Sequence, residues 1–185
     1  MYNEGDELEY RNLFIFVEGD DDERFVDAIV KDQIPGNLFT SVVISKYAQQ
    51  TKRHQGKFLG AAERLEWADY YLLGDINGNP CATEKKLEVI KQFDMVDPHK
   101  VIVVKAEIES WYLAGVTQDY CSSLGISYLK NTETVTKEIF DKMIPSRFSS
   151  RIDFMMELLK QYSLKEALHR NQSLEYLCGR LNIKR

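Results

Sequence analysis

Four short apolar runs, separated by stretches of helical spacing, decide what this chain can fold into. Residues 13–17, Leu-Phe-Ile-Phe-Val, contain no polar side chain. A strand with one wet face alternates; an unbroken run belongs to a strand covered on both faces, as in a parallel sheet. Residues 40–45 (Thr-Ser-Val-Val-Ile-Ser), 69–74 (Asp-Tyr-Tyr-Leu-Leu-Gly) and 101–104 (Val-Ile-Val-Val) supply the other strand candidates. Between them, Phe25, Val26, Ile29 and Val30 recur at helical spacing, as do Phe58, Leu59, Ala62 and Leu65, and then Leu87, Val89, Ile90 and Phe93. This alternation predicts the α/β class, with a mainly parallel, four-stranded, Rossmann-like sheet flanked by helices.

After Glu107 the pattern changes. Segments 134–143, 151–162, 164–168 and 173–181 look helical, and no convincing strand follows. Phe154, Met155, Leu158 and Leu159 form one amphipathic stripe; Leu174, Leu177, Cys178 and Leu181 form another. Both read as core packing. The expected organisation is an α/β core over 1–115 and a helical C-terminal extension over 116–185, packed on the core. The aromatic-rich tail is also a candidate homodimer surface.

Bulk properties narrow the class further. A net charge of -5 argues against a module that coats nucleic acid, because phosphate neutralisation needs cations. It leaves room for an enzyme that gathers carboxylates around a metal. Cys81, Cys121 and Cys178 make neither a CxxC pair nor a zinc spacing. Their odd number and the acidic N-terminus Met-Tyr-Asn-Glu, unlike a signal or transit peptide, suggest reduced thiols in a cytoplasmic protein. No apolar run approaches the roughly 18 residues a membrane span requires.

The chemistry lies where the strands end. Strand one runs into Glu18, strand three into Asp75, and strand four into Lys105, Glu107 and Glu109. Open parallel sheets bind ligands beyond the carboxyl ends of their strands. Carboxylates that converge there repel one another and are costly to bury, so they normally hold a cation. An all-oxygen set favours Mg²⁺, Mn²⁺ or Ca²⁺ over zinc, and His54, His99 and His169 make no ligand pattern. Asp22 is either a ligand or a helix-start residue; Asp20 and Asp21 read as solvated helix-start residues. In a strand Glu107 and Glu109 would share a face, whereas in a helix they would diverge by about 200° and only one would reach the site. Lys105 and Lys46 are candidates to hold a phosphate. A basic stretch carrying Lys52, Arg53 and Lys57 reads as a loop that either contacts a nucleic-acid backbone or is simply solvated.

Two segments carry a family resemblance. Phe16-Val17-Glu18-Gly19-Asp20-Asp21-Asp22 resembles the first motif of Toprim domains, a buried strand followed by Glu-Gly and an acid three positions on. Leu72-Leu73-Gly74-Asp75-Ile76-Asn77-Gly78 resembles the second, an Asp-x-Asp turn. The segment Glu107-Ile108-Glu109-Ser110-Trp111-Tyr112-Leu113-Ala114, with a later Ser173-Leu174, resembles small stand-alone Toprim proteins related to the overcoming-lysogenization-defect (OLD) nucleases. The resemblance covers about residues 12–115.

It implies a metal-dependent nuclease or related phosphoryl-transfer enzyme acting on DNA or RNA. It implies Mg²⁺ or Mn²⁺ on Glu18, Asp22, Asp75, Asn77, Glu107 and Glu109, with Glu18 and Lys105 as catalytic groups. The Walker motif of the OLD ATPase is missing, so a separately encoded ATPase and a role in phage defence are implied partners and setting. Asn77 departs from the family's aspartate and brings no charge, which puts two-metal catalysis in doubt. Two alternatives stand beside this reading: a non-catalytic Toprim-like binding module, and a receiver-like domain with Asp75 as phosphoacceptor and Lys105 as its lysine.

Overall fold

The structure, a computed structural model, describes residues 10–47, 52–93 and 96–184, without the side chains of residues 52–55 and 58. Strands β1 (Asn12–Val17), β2 (Ser41–Lys46), β3 (Ala68–Asp75) and β4 (Val101–Val104) form one sheet in the order β2-β1-β3-β4. Every pairing is parallel, so the sheet is fully rather than mainly parallel. Each strand falls within a residue or so of its apolar run.

The helices are α1 (Asp20–Phe25), α2 (Lys52–Arg64), α3 (Ala82–Gln92), α4 (Glu109–Ala114), α5 (Gln118–Leu124), α6 (Lys137–Met143), α7 (Arg151–Lys160), α8 (Leu164–Arg170) and α9 (Gln172–Arg180). Helix α1 continues into a wider π turn at Val26–Val30 and a tighter 3₁₀ turn at Lys31–Gln33.

The unbroken apolar runs are explained by two covered faces. Leu13, Ile15 and Val17 of β1 point to the same side as Leu73, Ile102 and Val104. They meet Phe25, Val26 and Val30, and beyond them Trp111, Phe154, Leu174 and Leu177. One continuous core therefore joins the sheet to the C-terminal helices. Phe16, Tyr70, Leu72, Val101 and Val103 point to the other side, against Leu59 and Ala62 of α2 and Val89 of α3.

Three local expectations change. The segment read as a basic loop is helical from Lys52, because α2 begins there and carries Lys57 exposed on its surface. Helix α5 was not anticipated: its Asp119, Ser122 and Ser123 dilute the apolar spacing. It is fixed instead at its ends, by Thr117 Oγ1 accepting from Tyr120 N at 3.3 Å and by Gly125 in the left-handed region at φ 75°. Helix α6 starts at Lys137 rather than 134, with Thr136 in extended conformation before it.

The link from α4 to the tail is set by close packing. A Cβ on Gly115 would stand 2.4 Å from the Tyr162 ring, so only glycine admits that ring. Tyr162 then donates its hydroxyl to the Trp111 carbonyl at 2.8 Å.

Candidate active site

The strand order reverses at β1 and β3: the chain leaves β1 for β2 on one side and returns to β3 on the other. Such a switch point opens a crevice at the carboxyl ends of the two central strands. Glu18 and Asp75 stand at those two ends. Glu18 Oε2 accepts from Asp75 N at 3.5 Å, and Glu18 Oε1 accepts from Asn77 Nδ2 at 3.4 Å. The Glu-Gly step and the Asp-x-Asn turn, 57 residues apart in sequence, are thus neighbours in space.

Asp22 joins them from the first turn of α1. Its Oδ2 accepts from Gly19 N at 3.0 Å, reaching back over the helix start. Its other oxygen, Oδ1, is sealed from solvent and accepts no hydrogen bond; the same is true of Asp75 Oδ1. Burial first, then Glu18 and Asp21, push the Asp22 carboxyl up to about 6. Burial first, then the charges of Asp22, Glu18 and Glu107, push Asp75 up to about 8, with Lys85 pulling weakly the other way. Burial is the main cause of both shifts, and the neighbouring carboxylates add to it.

Asn77 has a second reason to be where it is. Asn77 and Gly78 both have positive φ, 46° and 75°, and Asn79 N donates to Ile76 O at 3.0 Å. Asparagine and glycine are the residues that tolerate such a turn. Its side chain is exposed and donates to Glu18.

Glu107 and Glu109 diverge, the helical outcome of the two considered. Glu107 precedes α4 and accepts from the backbone N–H of Lys137, at the start of α6. Glu109 opens α4, is 3% exposed, and forms an ion pair with Arg151. Arg151 Nη2 also lies 3.6 Å from Asp21 Oδ2, and its Nε lies 3.6 Å from Asp141 Oδ1. A cleft of about 370 Å³ is lined by Asp22, Asp75, Glu107 and Glu109 together with Lys137 and Arg151. Among the described residues, no three His, Cys, Asp or Glu side chains stand already grouped to hold a metal ion.

The expected cations sit elsewhere. Lys105 makes an ion pair with Glu133 at 2.9 Å and lines a different cleft. Lys46 is engaged by Asp20 at 2.7 Å and Glu23 at 2.8 Å. The side chains of Lys52 and Arg53 lie outside the described residues. The basic residues that line the acidic cleft, Lys137 and Arg151, went unnoticed in the sequence. Each is the first residue of its helix, where the dipole disfavours a positive charge. A basic residue directly after Thr136 and again after Ser150, the helix-start positions, was the available clue.

Fold and site together define an α/β protein with an acidic crevice at its topological switch point. The chain matches no family model, no curated protein and no solved structure.

Proposed function

We propose that the chain is a metal-dependent phosphodiester hydrolase acting on DNA or RNA, with Mg²⁺ or Mn²⁺ held by Glu18, Asp22 and Asp75. The observation that carries this reading is the pair of sealed oxygens, Asp22 Oδ1 and Asp75 Oδ1, neither of which accepts a hydrogen bond. A buried carboxylate oxygen without a donor is costly, and a hard divalent cation is the partner that suits an all-oxygen set. The residues fit such an ion in chemistry, although they would have to draw together to bind it.

When bound, the ion polarises a phosphoryl oxygen and lowers the pKa of a water ligand. The protein's own contributions follow from position. Glu18, half-buried at the end of β1 and within reach of Asp75 N, orients the ligand set and is placed to take a proton. Asn77 holds Glu18 and adds a neutral carbonyl oxygen. Arg151 and Lys137, which line the same cleft as the acids, are nearer than Lys105 to grip a phosphate there. Lys57, exposed on α2, remains a candidate backbone contact. The resemblance to OLD-type Toprim proteins extends the proposal to a separately encoded ATPase partner in phage defence, by analogy alone.

A plasmid-nicking assay in Mn²⁺ tests the reading. Nicking that disappears in Glu18→Gln and in Arg151→Ala supports it; nicking that persists in Glu18→Gln contradicts it. One observation favours a second reading, a non-catalytic binding module: the acids are not pre-grouped for a metal among the described residues. Metal-independent capture of a nucleic acid, with no nicking, would select it. The receiver-like alternative loses its lysine, because Lys105 faces Glu133 rather than Asp75.

A further inference from the structure

Helix α7 turns Phe154, Met155 and Leu158 into the core. Its outer face should then be polar, yet Ile152 is 51% exposed and Met156 is 47% exposed. The two are four residues apart and stand one above the other on the helix. On α6, whose Phe140 ring lies 5.3 Å from that of Phe154, Ile139 is exposed as well. Of the eight large apolar side chains exposed among the described residues, these two adjoining helices carry three. Such a concentration marks a contact surface rather than scattered exposure.

Charge decides what kind of partner covers it. Helix α6 carries Lys137, Glu138, Asp141 and Lys142, and α7 carries Arg151, Asp153, Glu157 and Lys160. Two bases and two acids cancel on each. A nucleic acid draws on an excess of cations, and neither helix has one. An apolar centre inside a rim of both signs suits a protein.

The order of the charges selects a second copy of this chain. At about 3.6 residues per turn, Ile152, Met156, Lys160 and Asp153 fall within roughly 100° of arc on α7. Asp153 lies three residues before Met156 and Lys160 four after it. A twofold axis near Met156 therefore lays two antiparallel copies of α7 together with each Asp153 facing the other's Lys160. The same axis sets the two helix dipoles in their favourable antiparallel sense. Both charged side chains are exposed and hold local partners: Asp153 Oδ2 accepts from Ser149 Oγ, and Lys160 Nζ lies 2.6 Å from Glu157 Oε2. A carboxylate has about four acceptor sites and an ammonium three donors, so each can take a second partner.

We propose that α7 is the contact of a symmetric homodimer. Met156 of each copy packs across the axis, Ile152 lies on the stem of the partner's Lys160, and two Asp153–Lys160 pairs close the rim. Because Ile152 also lines the acidic cleft, the partner's α7 borders that cleft in each copy. A face little more than one helix wide gives a weak, concentration-dependent dimer.

Sedimentation equilibrium of the full chain over a concentration series tests this. The wild type is expected to pass from monomer to dimer in the micromolar range. Met156→Asp, an exposed change that leaves the core intact, is expected to stay monomeric with an unchanged thermal melt. Asp153→Lys and Lys160→Asp should each raise the dissociation constant about tenfold, because the axis makes every change count twice, and the two together should restore it. In a Cys81→Ser background, which removes the exposed thiol, Met156→Cys should form a disulfide-linked dimer under mild oxidation but not in denaturant. A chain that stays monomeric at hundreds of micromolar, or a dimer that Met156→Asp leaves intact, would overturn the proposal. So would protection of α7 from hydrogen exchange that arises only when an oligonucleotide is added, which would give this face to a nucleic acid. No readout here uses metal, so failure of the dimer and failure of the acidic site are separate results.

Discussion

Two groups of buried polar side chains lie on either side of α4, and they are treated in opposite ways. On the C-terminal side, Trp111 Nε1 donates to Ser173 Oγ at 2.9 Å, and Ser173 donates to Asn171 Oδ1 at 2.7 Å. Asn171 Nδ2 then donates to Thr132 Oγ1 at 3.1 Å and Ser110 Oγ at 3.3 Å. Nearby, the buried Arg170 guanidinium donates to the carbonyls of Ala114, at the end of α4, and of Leu129, in the loop after α5. Each of these side chains has a hydrogen-bond partner. On the sheet side, Asp22 and Asp75 keep oxygens that accept nothing. A closed network rigidifies and specifies a core. An open one of like charges stores unfavourable energy that a ligand can release. The difference separates residues that hold this fold from residues proposed to bind a ligand.

The closed network should break hardest. Arg170→Ala leaves α4's carbonyls without donors and opens a cavity under Tyr128, whose ring lies 4.1 Å from the guanidinium carbon. A loss of about 3–5 kcal/mol is expected in chemical denaturation. Asn171→Ala removes the hub of the network and the α9 cap together, and should cost about 2–3 kcal/mol by the same measurement.

The open site should respond with the opposite sign. Asp75→Asn removes a charge that the fold disfavours, so the metal-free protein should gain on the order of 2 kcal/mol near pH 8. A loss of stability in that variant would mean that Asp75 is a structural residue.

The pH dependence follows from the same shifts. Asp22 and Asp75 ionise near 3.8 when unfolded but at about 6 and about 8 when folded. The folded state therefore binds more protons across that window. Stability of the metal-free protein should fall as pH rises from about 4 and level off above about 8. Saturating Mn²⁺ should flatten the curve in thermal melts. The smallest effect is expected at Asn77. Asn77→Gly keeps the turn that its positive φ of 46° requires and should change stability by no more than about 0.5 kcal/mol.

The sheet was legible because burial on both faces writes unbroken apolar runs, and the strand-end acids were legible because they terminate those runs. Helix α5 was blurred because a cap at Thr117, not apolar spacing, sets its start, and α6 because the chain stays extended through Thr136 before it. The cations of the cleft were illegible for a different reason. Lys137 and Arg151 come from far along the chain, and their place at helix starts marks them as unusual without saying which site they reach. Lys105, next to the acids in sequence, turns instead toward Glu133. Position at the strand ends brought the carboxylates together by topology, while proximity in sequence failed for side chains that topology does not constrain.

The central claim is that Asp22 and Asp75 await a divalent cation, and calorimetric titration of Mn²⁺ into the wild type and into Asp75→Asn tests it most directly. Saturable binding in the wild type, with proton release near neutral pH and loss of binding in the variant, is the predicted result. No binding at millimolar Mn²⁺, or equal binding by both proteins, would contradict it.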